Sequence, residues 1–322
     1  MHIVLTGMHM APEAPDLGPI PAQAKLHRCG ADLGGRADAA AADALGRITS
    51  GCGMLYDAIR PDAVLVLGDR LDMAPAAIAT ALFNIPLAHL HGGEITEGAV
   101  DDRIRHAVTK LADLHLVSNE GAAARVAAMG ESPKDIVVTG APGLDTLLNA
   151  PQLTREAFLA ETGLNRILGA AEGFRLVTVH PETASADSIA PLRAVLEALA
   201  HAPAPTLVTA PNSDPGGAEM TRILREWADG RSWVVSVDTL GSRLYPNALR
   251  HAQMMIGNSS SGIIEASLFG LPVVDVGDRQ KGRERGRNVI HADNASASVL
   301  SAMARAEALG RLVDCRYGDG KA

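Results

Sequence analysis

Ala63-Val64-Leu65-Val66-Leu67-Gly68-Asp69-Arg70 sets an unbroken apolar run directly against a glycine, a carboxylate and a guanidinium. Such a run is too short and too uniform for an alternating antiparallel strand. It reads as a strand covered on both faces, ending in a polar turn. The same grammar recurs upstream, where residues 3–5 lead into Thr6-Gly7-Met8-His9. Downstream, residues 87–90 lead into His91-Gly92-Gly93-Glu94, 114–117 into Ser118-Asn119-Glu120, and 136–139 into Gly140-Ala141-Pro142. The second half repeats it: 176–179 into His180-Pro181, 206–209 into Ala210-Pro211-Asn212, and 233–237 into Asp238. The last two runs are 254–256 into Gly257-Asn258-Ser259 and Val273-Val274 into Asp275-Val276-Gly277.

Helical stretches at 74–83, 101–112 and 188–199 separate these runs. Alternating strand and helix predicts the α/β class: parallel sheets flanked by helices, joined by right-handed crossovers. Two series of runs predict two Rossmann-like domains. The hinge is expected at Asn149-Ala150-Pro151, giving domains 1–150 and 151–322. In open parallel sheets a ligand sits beyond the carboxyl ends of the strands. Here those ends carry Asp69, His91, Glu94, His180, Asn212 and Ser259 to Ser261.

Composition bounds the partners. Of 322 residues, 47% are apolar and only 3% aromatic, which suits helices packed on a parallel sheet. A net charge of −8 with no basic stripe argues against nucleic acid. No apolar run approaches the roughly 18 residues of a membrane span, and the amino terminus has no leader pattern. Cys29, Cys52 and Cys315 share no metal-ligand spacing and read as reduced thiols of a cytoplasmic protein.

Asn258-Ser259-Ser260-Ser261-Gly262-Ile263-Ile264-Glu265 places small hydroxyl residues between a strand and a helix start. Amides at such a turn favour an anion. A helix cap explains one serine, not three and a glycine. Glu265 is favourable near a helix start and can equally hold sugar hydroxyls. Gly277 to Arg285 is the most basic stretch, suited to a solvated loop or to supplying cations such as Arg279 to a diphosphate. His91 to His106 packs carboxylates, histidines and arginines onto a Gly-rich loop and a helix start. Singly, Asp101 and Asp102 read as caps and Arg105-His106 as an exposed helix face. Together they read as a proton-transfer site, because crowded carboxylates perturb one another's ionisation. His89-x-His91 places both rings on one side of a strand, yet no third ligand accompanies them, so no metal is expected.

These segments together resemble the hydrolysing UDP-N-acetylglucosamine 2-epimerases, particularly the bacterial enzymes of sialic-acid and related nonulosonic-acid pathways. The matching stretches run in order: Thr6 to His9, Gly68 to Arg70, His91 to Lys110, His180-Pro181, Pro211-Asn212, Gly257 to Glu265, Gly277 to Arg283 and Tyr317-Gly318-Asp319-Gly320. The resemblance implies a glycosyltransferase-B-like fold with a nucleotide-binding carboxyl-terminal half facing a catalytic amino-terminal half. It implies a homodimer or homotetramer acting on a UDP-sugar without a cofactor. It assigns acid/base work to Asp69, Glu94 and Asp101, and action near the leaving diphosphate or the glycal to His180 and Arg70. Ser259, Ser260 and Arg279 would hold phosphates and Glu265 the ribose, with His91, Arg105, Asn212, Asn258, Ser261 and Gly262 completing the substrate and nucleotide contacts.

The chain departs from the family pattern in three ways. Met1 falls at what would be the second strand, so neighbouring sheet edges are expected to be exposed. The chain stops after Ala322, where relatives continue into a helix, and position 91 is His where vertebrate relatives carry Glu. A glycosyltransferase of the same architecture and an inactive nucleotide-sugar-binding protein are the rival readings. On the epimerase reading, Asp101→Asn abolishes turnover with little loss of UDP affinity, whereas Arg279→Ala mainly weakens nucleotide binding. Calorimetric UDP titration beside a turnover assay separates the two; equal damage to both properties in both variants contradicts the division.

Overall fold

A computed structural model describes residues 1–10, 20–30, 39–95, 100–168, 173–182, 185–212 and 216–321. The chain forms two units, one of Met1–Glu94 with Val100–Thr139 and one built from Gly140–Ala322.

In the first unit β1 (His2–Leu5) pairs in parallel with β2 (Lys25–Arg28) as a two-stranded sheet. Helix α1 (Ala39–Ile59) leads to β3 (Val64–Leu67), α2 (Met73–Leu82), β4 (Leu87–Leu90), α3 (Val100–Leu111) and β5 (Leu114–Val117). Helix α4 (Glu120–Ala128) and β6 (Ile136–Val138) complete it, and β3 to β6 form a parallel sheet in sequence order. Ala41, Ala44, Ile48, Cys52 and Tyr56 recur on one buried stripe of α1, and Ile48, Cys52 and Tyr56 pack in one core with Val66, Ala77, Leu87 and Val108.

The expectation of strands covered on both faces fails at β3. It lies at the end of its sheet, and Leu65 and Leu67 remain 59% and 57% exposed. Strand β2 escapes sequence reading because Lys-Leu-His-Arg contains no apolar run.

The second unit begins with α5 (Gly143–Asn149) and α6 (Arg155–Thr162). Then follow β7 (Arg175–Thr178), α7 (Ala190–His201), β8 (Thr206–Thr209), α8 (Gly217–Ala228), β9 (Val234–Val237) and α9 (Gly241–His251). Strand β10 (Met254–Gly257), α10 (Ser260–Ile264), β11 (Val273–Val276), β12 (Val289–Ala292) and α11 (Ser296–Leu309) close the unit. Its six strands are all parallel in the order β12-β11-β10-β7-β8-β9. That is the doubly wound order, and its switch point, where ligands bind, lies between β7 and β10. Strands β8, β10 and β11 are buried along their whole length, and β11 runs on past the expected end at Val274 to include the buried Asp275. Strand β12 is a further addition to the sequence reading.

The break between units falls at Thr139–Gly140 rather than at residue 150. Helix α5 belongs to the second unit because Leu144 and Leu147 bury against Ile263 and Tyr317, and the Ala141 amide donates to the Tyr317 carbonyl at 2.7 Å.

Close approach of β7 and β10 requires a glycine at their shared end. Gly257 has φ +145°, and a Cβ there would stand 1.8 Å from the Thr178 carbonyl oxygen. The backbone must move to admit any side chain. Gly257→Ala is therefore expected to cost about 2–3 kcal/mol, read as a lowered urea midpoint, and an unchanged midpoint contradicts this packing.

Candidate active site

The candidate side chains gather into two clusters, one in each unit. In the second unit the centre is Asn258, fully buried just past β10. Its Oδ1 accepts the His180 backbone N–H at 2.7 Å and its Nδ2 donates to the His180 carbonyl at 2.9 Å. One amide thus joins the ends of β7 and β10 across the switch point, using both its donor and acceptor. His180 Nδ1 in turn accepts the Asn212 backbone N–H at 3.0 Å. That bond leaves the ring proton on Nε2, so neutral His180 offers Nε2–H as a donor.

Around this clamp the serines divide their work. Ser259 is the N-cap of α10, its hydroxyl accepting from the Ser261 amide at 3.4 Å, as the cap reading allows for one serine. Ser261 donates to Glu265 Oε2 at 2.6 Å and accepts from the Tyr245 hydroxyl, so Tyr245, Ser261 and Glu265 form a chain. Burial pushes the Glu265 carboxyl up, against the Ser261 hydrogen bond. Helix α10 has only five residues, so individual amides and hydroxyls, rather than a long macrodipole, carry any anion affinity.

The basic loop is drawn to the Asn258 backbone carbonyl: Arg279 Nη1 and Gln280 Nε2 donate to it at 3.4 and 2.9 Å. Below it, Asp275 is wholly buried and takes Arg285 Nη2 at 2.8 Å, with burial raising the carboxyl and Arg285 and His291 opposing. Sequence reasoning passed over Tyr245 and its neighbours. A cleft of about 340 Å³ lies beyond the ends of β8 and β9, lined by Leu147, Thr209, Asp238, Ser242, Tyr245 and Pro246. Its signal in the sequence was Tyr245-Pro246, a proline inside a helical pattern.

In the first unit the carboxylates assemble around a buried arginine. Arg105 is 2% exposed and donates to Asp69, to Asp102 Oδ1 at 3.4 Å and to the Glu94 carbonyl at 2.7 Å. The alternative of an exposed helix face at Arg105 is corrected: a dry guanidinium needs these partners, and they fix the turns bearing Asp69 and Glu94. His91 adopts φ +62°, a left-handed conformation that costs a non-glycine residue about 1 kcal/mol or more. It lies one residue beyond β4, which ends at Leu90. His91 Nδ1 lies 2.7 Å from Glu94 Oε1, which also accepts the Ser118 hydroxyl at 2.7 Å. Arg70 Nε meets Asp72 Oδ1 at 3.1 Å, and Thr6 donates to Asp72 Oδ2 at 2.6 Å. Asp72 is buried and was missed, although Gly68-Asp69-Arg70-Leu71-Asp72 displayed it. The side chain of Asp101 lies outside the described residues. Among the described residues no group of three or more His, Cys, Asp or Glu is disposed to hold a metal, and no helix is long and apolar enough to cross a membrane.

A strand-end clamp that presents a histidine donor beside a serine turn suits an anion, and an Arg-held acid cluster suits proton transfer. Comparison with known proteins gives this chemistry a family. The UDP-N-acetylglucosamine 2-epimerase family matches residues 1–322, and the chain belongs to it. It is 36% identical over 330 residues to the hydrolysing UDP-N,N'-diacetylbacillosamine 2-epimerase of Legionella pneumophila, covering 100% of this chain and 85% of that one. It is 33% identical over 268 residues to the UDP-N-acetylglucosamine 2-epimerase of Neisseria meningitidis, covering 83% and 69%. Among solved structures, S. aureus MnaA with UDP superposes with a TM-score of 0.72 at 17% identity, covering 93% of this chain and 86% of that one. The expected α/β class, parallel sheets flanked by helices as in solved 2-epimerases, is the one this chain adopts.

Behind the acid cluster His89 is wholly buried, with Nε2 2.8 Å from the Gly68 carbonyl and Nδ1 3.2 Å from the Thr109 hydroxyl. Burial pushes its pKa from 6.5 down to about 4. Between those values the unfolded chain takes a proton that the folded one refuses. The stability from neutral His89 is thus fully present above pH 6.5 and lost as pH falls through about 4. Relative to His89→Gln, wild type is expected to lose about 3 kcal/mol between neutral pH and pH 4 in urea denaturation; a pH-independent difference contradicts this.

Proposed function

We propose that the chain is a hydrolysing 2-epimerase that converts UDP-N-acetylglucosamine, or a UDP-linked diacetamido relative, and water into the free 2-epimer and UDP. A base takes the C2 proton, and the C2–H electrons form the C1–C2 double bond as the C1–O bond to the diphosphate breaks. Water then adds its oxygen to C1 while C2 is reprotonated from the opposite face, which balances one water consumed against one free sugar released.

The C2 proton is weakly acidic, so a placed carboxylate and charge stabilisation of the departing diphosphate share the barrier. Asp69 and Glu94, held by Arg105, Ser118 and His91, are assigned the acid/base steps together with Asp101. His180 Nε2–H, the Ser259 and Ser260 turn and Arg279 are assigned the diphosphate, with Arg70 acting near the leaving group or the glycal. Glu265 is assigned the ribose, and the cleft beside Tyr245 the adjoining base. The nucleotide-sugar substrate is in keeping with a cytoplasmic enzyme, and we assign it a homodimer or homotetramer.

The observation that carries this reading is the 36% identity, along the whole chain, to a relative named as a hydrolysing 2-epimerase. A glycosyltransferase is disfavoured because the curated relatives quoted above are named epimerases. Incubation with UDP-N-acetylglucosamine, or with the UDP-linked 2,4-diacetamido sugar, and no acceptor is expected to release UDP and the free epimerised sugar in equal amounts. Product formation only with an added acceptor favours the glycosyltransferase. UDP binding without turnover of either substrate favours a binding protein.

A further inference from the structure

The turn after β11 that carries Arg279 is anchored by a carboxylate from the β7 end. Glu182 is 7% exposed. Its Oε1 accepts the backbone N–H groups of Asp278 at 2.7 Å and Arg279 at 3.1 Å, and Asn294 Nδ2 reaches its Oε2 at 3.4 Å. The turn is shaped for it: Gly277 has φ +79°, and a Cβ there would stand 2.3 Å from Glu182 Oε1. Successive amides after a left-handed glycine form an anion-binding concavity, and here the chain's own carboxylate fills it. The far end of Arg279 rests near Asn258 O at 3.4 Å, beside the serine turn. The Arg279 side chain is therefore set from both ends, its backbone by Glu182 and its guanidinium by Asn258.

We propose that Glu182 is a positioning residue: by capturing the Asp278 and Arg279 amides it fixes where the Arg279 guanidinium stands to receive a nucleoside diphosphate. The assignment of Arg279 to the diphosphate rests on the function proposed above; the capture of the amides does not. A charge is not needed for the capture, since a glutamine Oε1 can accept both bonds, but an acceptor of that reach is.

The test compares Glu182→Ala, Glu182→Gln, Arg279→Ala and the Glu182→Ala/Arg279→Ala double variant. In the unliganded protein, hydrogen exchange of the Asp278 and Arg279 amides is expected to quicken about tenfold or more in Glu182→Ala and to stay near wild type in Glu182→Gln. With UDP, Glu182→Ala is expected to weaken affinity about tenfold and raise KM alike, with kcat within a few-fold of wild type, and Glu182→Gln to restore both. In the double variant the loss matches that of Arg279→Ala alone, because Glu182 acts through Arg279. Unchanged exchange in Glu182→Ala, unchanged UDP affinity, or fully additive losses overturns the proposal. Wild type that fails to bind UDP while the exchange pattern holds instead overturns the nucleotide reading and leaves the amide capture standing.

Discussion

The side-chain amide of Asn258 spans the one place in the second unit where the order of the sheet reverses. A doubly wound sheet opens a crevice there, because the crossovers leave β7 and β10 in opposite directions. Neighbouring strands at such a point have backbone groups that no further strand satisfies. Asn258 satisfies a donor and an acceptor of His180 with a single side chain. Gly257 permits the approach, the Asn212 amide orients the His180 ring, and Arg279 and Gln280 gather on the Asn258 carbonyl. Removing the amide would take away both of its bonds to the His180 backbone and unsettle a histidine, a serine turn and a cationic loop together.

The first unit uses an arginine for the corresponding task. Arg105 is shut away from bulk solvent, so its charge has to be met by close protein partners. The same bonds that satisfy it hold Asp69 and the Glu94 turn in place. The strained backbone of His91 is held in place by the same network, through the contact of its ring with Glu94 and the bond from Ser118 to that carboxylate.

Much of this was legible in the sequence. Apolar runs ending in Gly, Asp, His or Pro announced parallel strands with polar carboxyl ends, and two of the runs became β8 and β10 with every residue buried, while β11 also takes in Asp275, read as the polar end of its run. Strands β2 and β12 were hidden because Lys-Leu-His-Arg and Val-Ile-His-Ala interrupt their apolar character with polar residues. Pro151 punctuates the chain locally, while the burial of Leu144 and Leu147 against Tyr317, which ties α5 to the second unit, is a contact distant in sequence. Asp69, Glu94 and Asn258 stood out by position at strand ends. Tyr245 and Glu182 owe their place to partners that sequence spacing does not reveal, and for Arg105 the sequence left an exposed helix face open beside a substrate contact, since its burial depends on Asp69 and Glu94 from other turns.

On the function proposed above, a carbon-bound proton is removed and replaced at C2 of a nucleotide-linked 2-acetamido sugar. The most direct measurement is turnover in D₂O followed by NMR of the released sugar. One deuterium at C2 of the epimerised product is the result this account predicts. Released sugar that keeps its original hydrogen at C2 contradicts it, whatever the rate of UDP release.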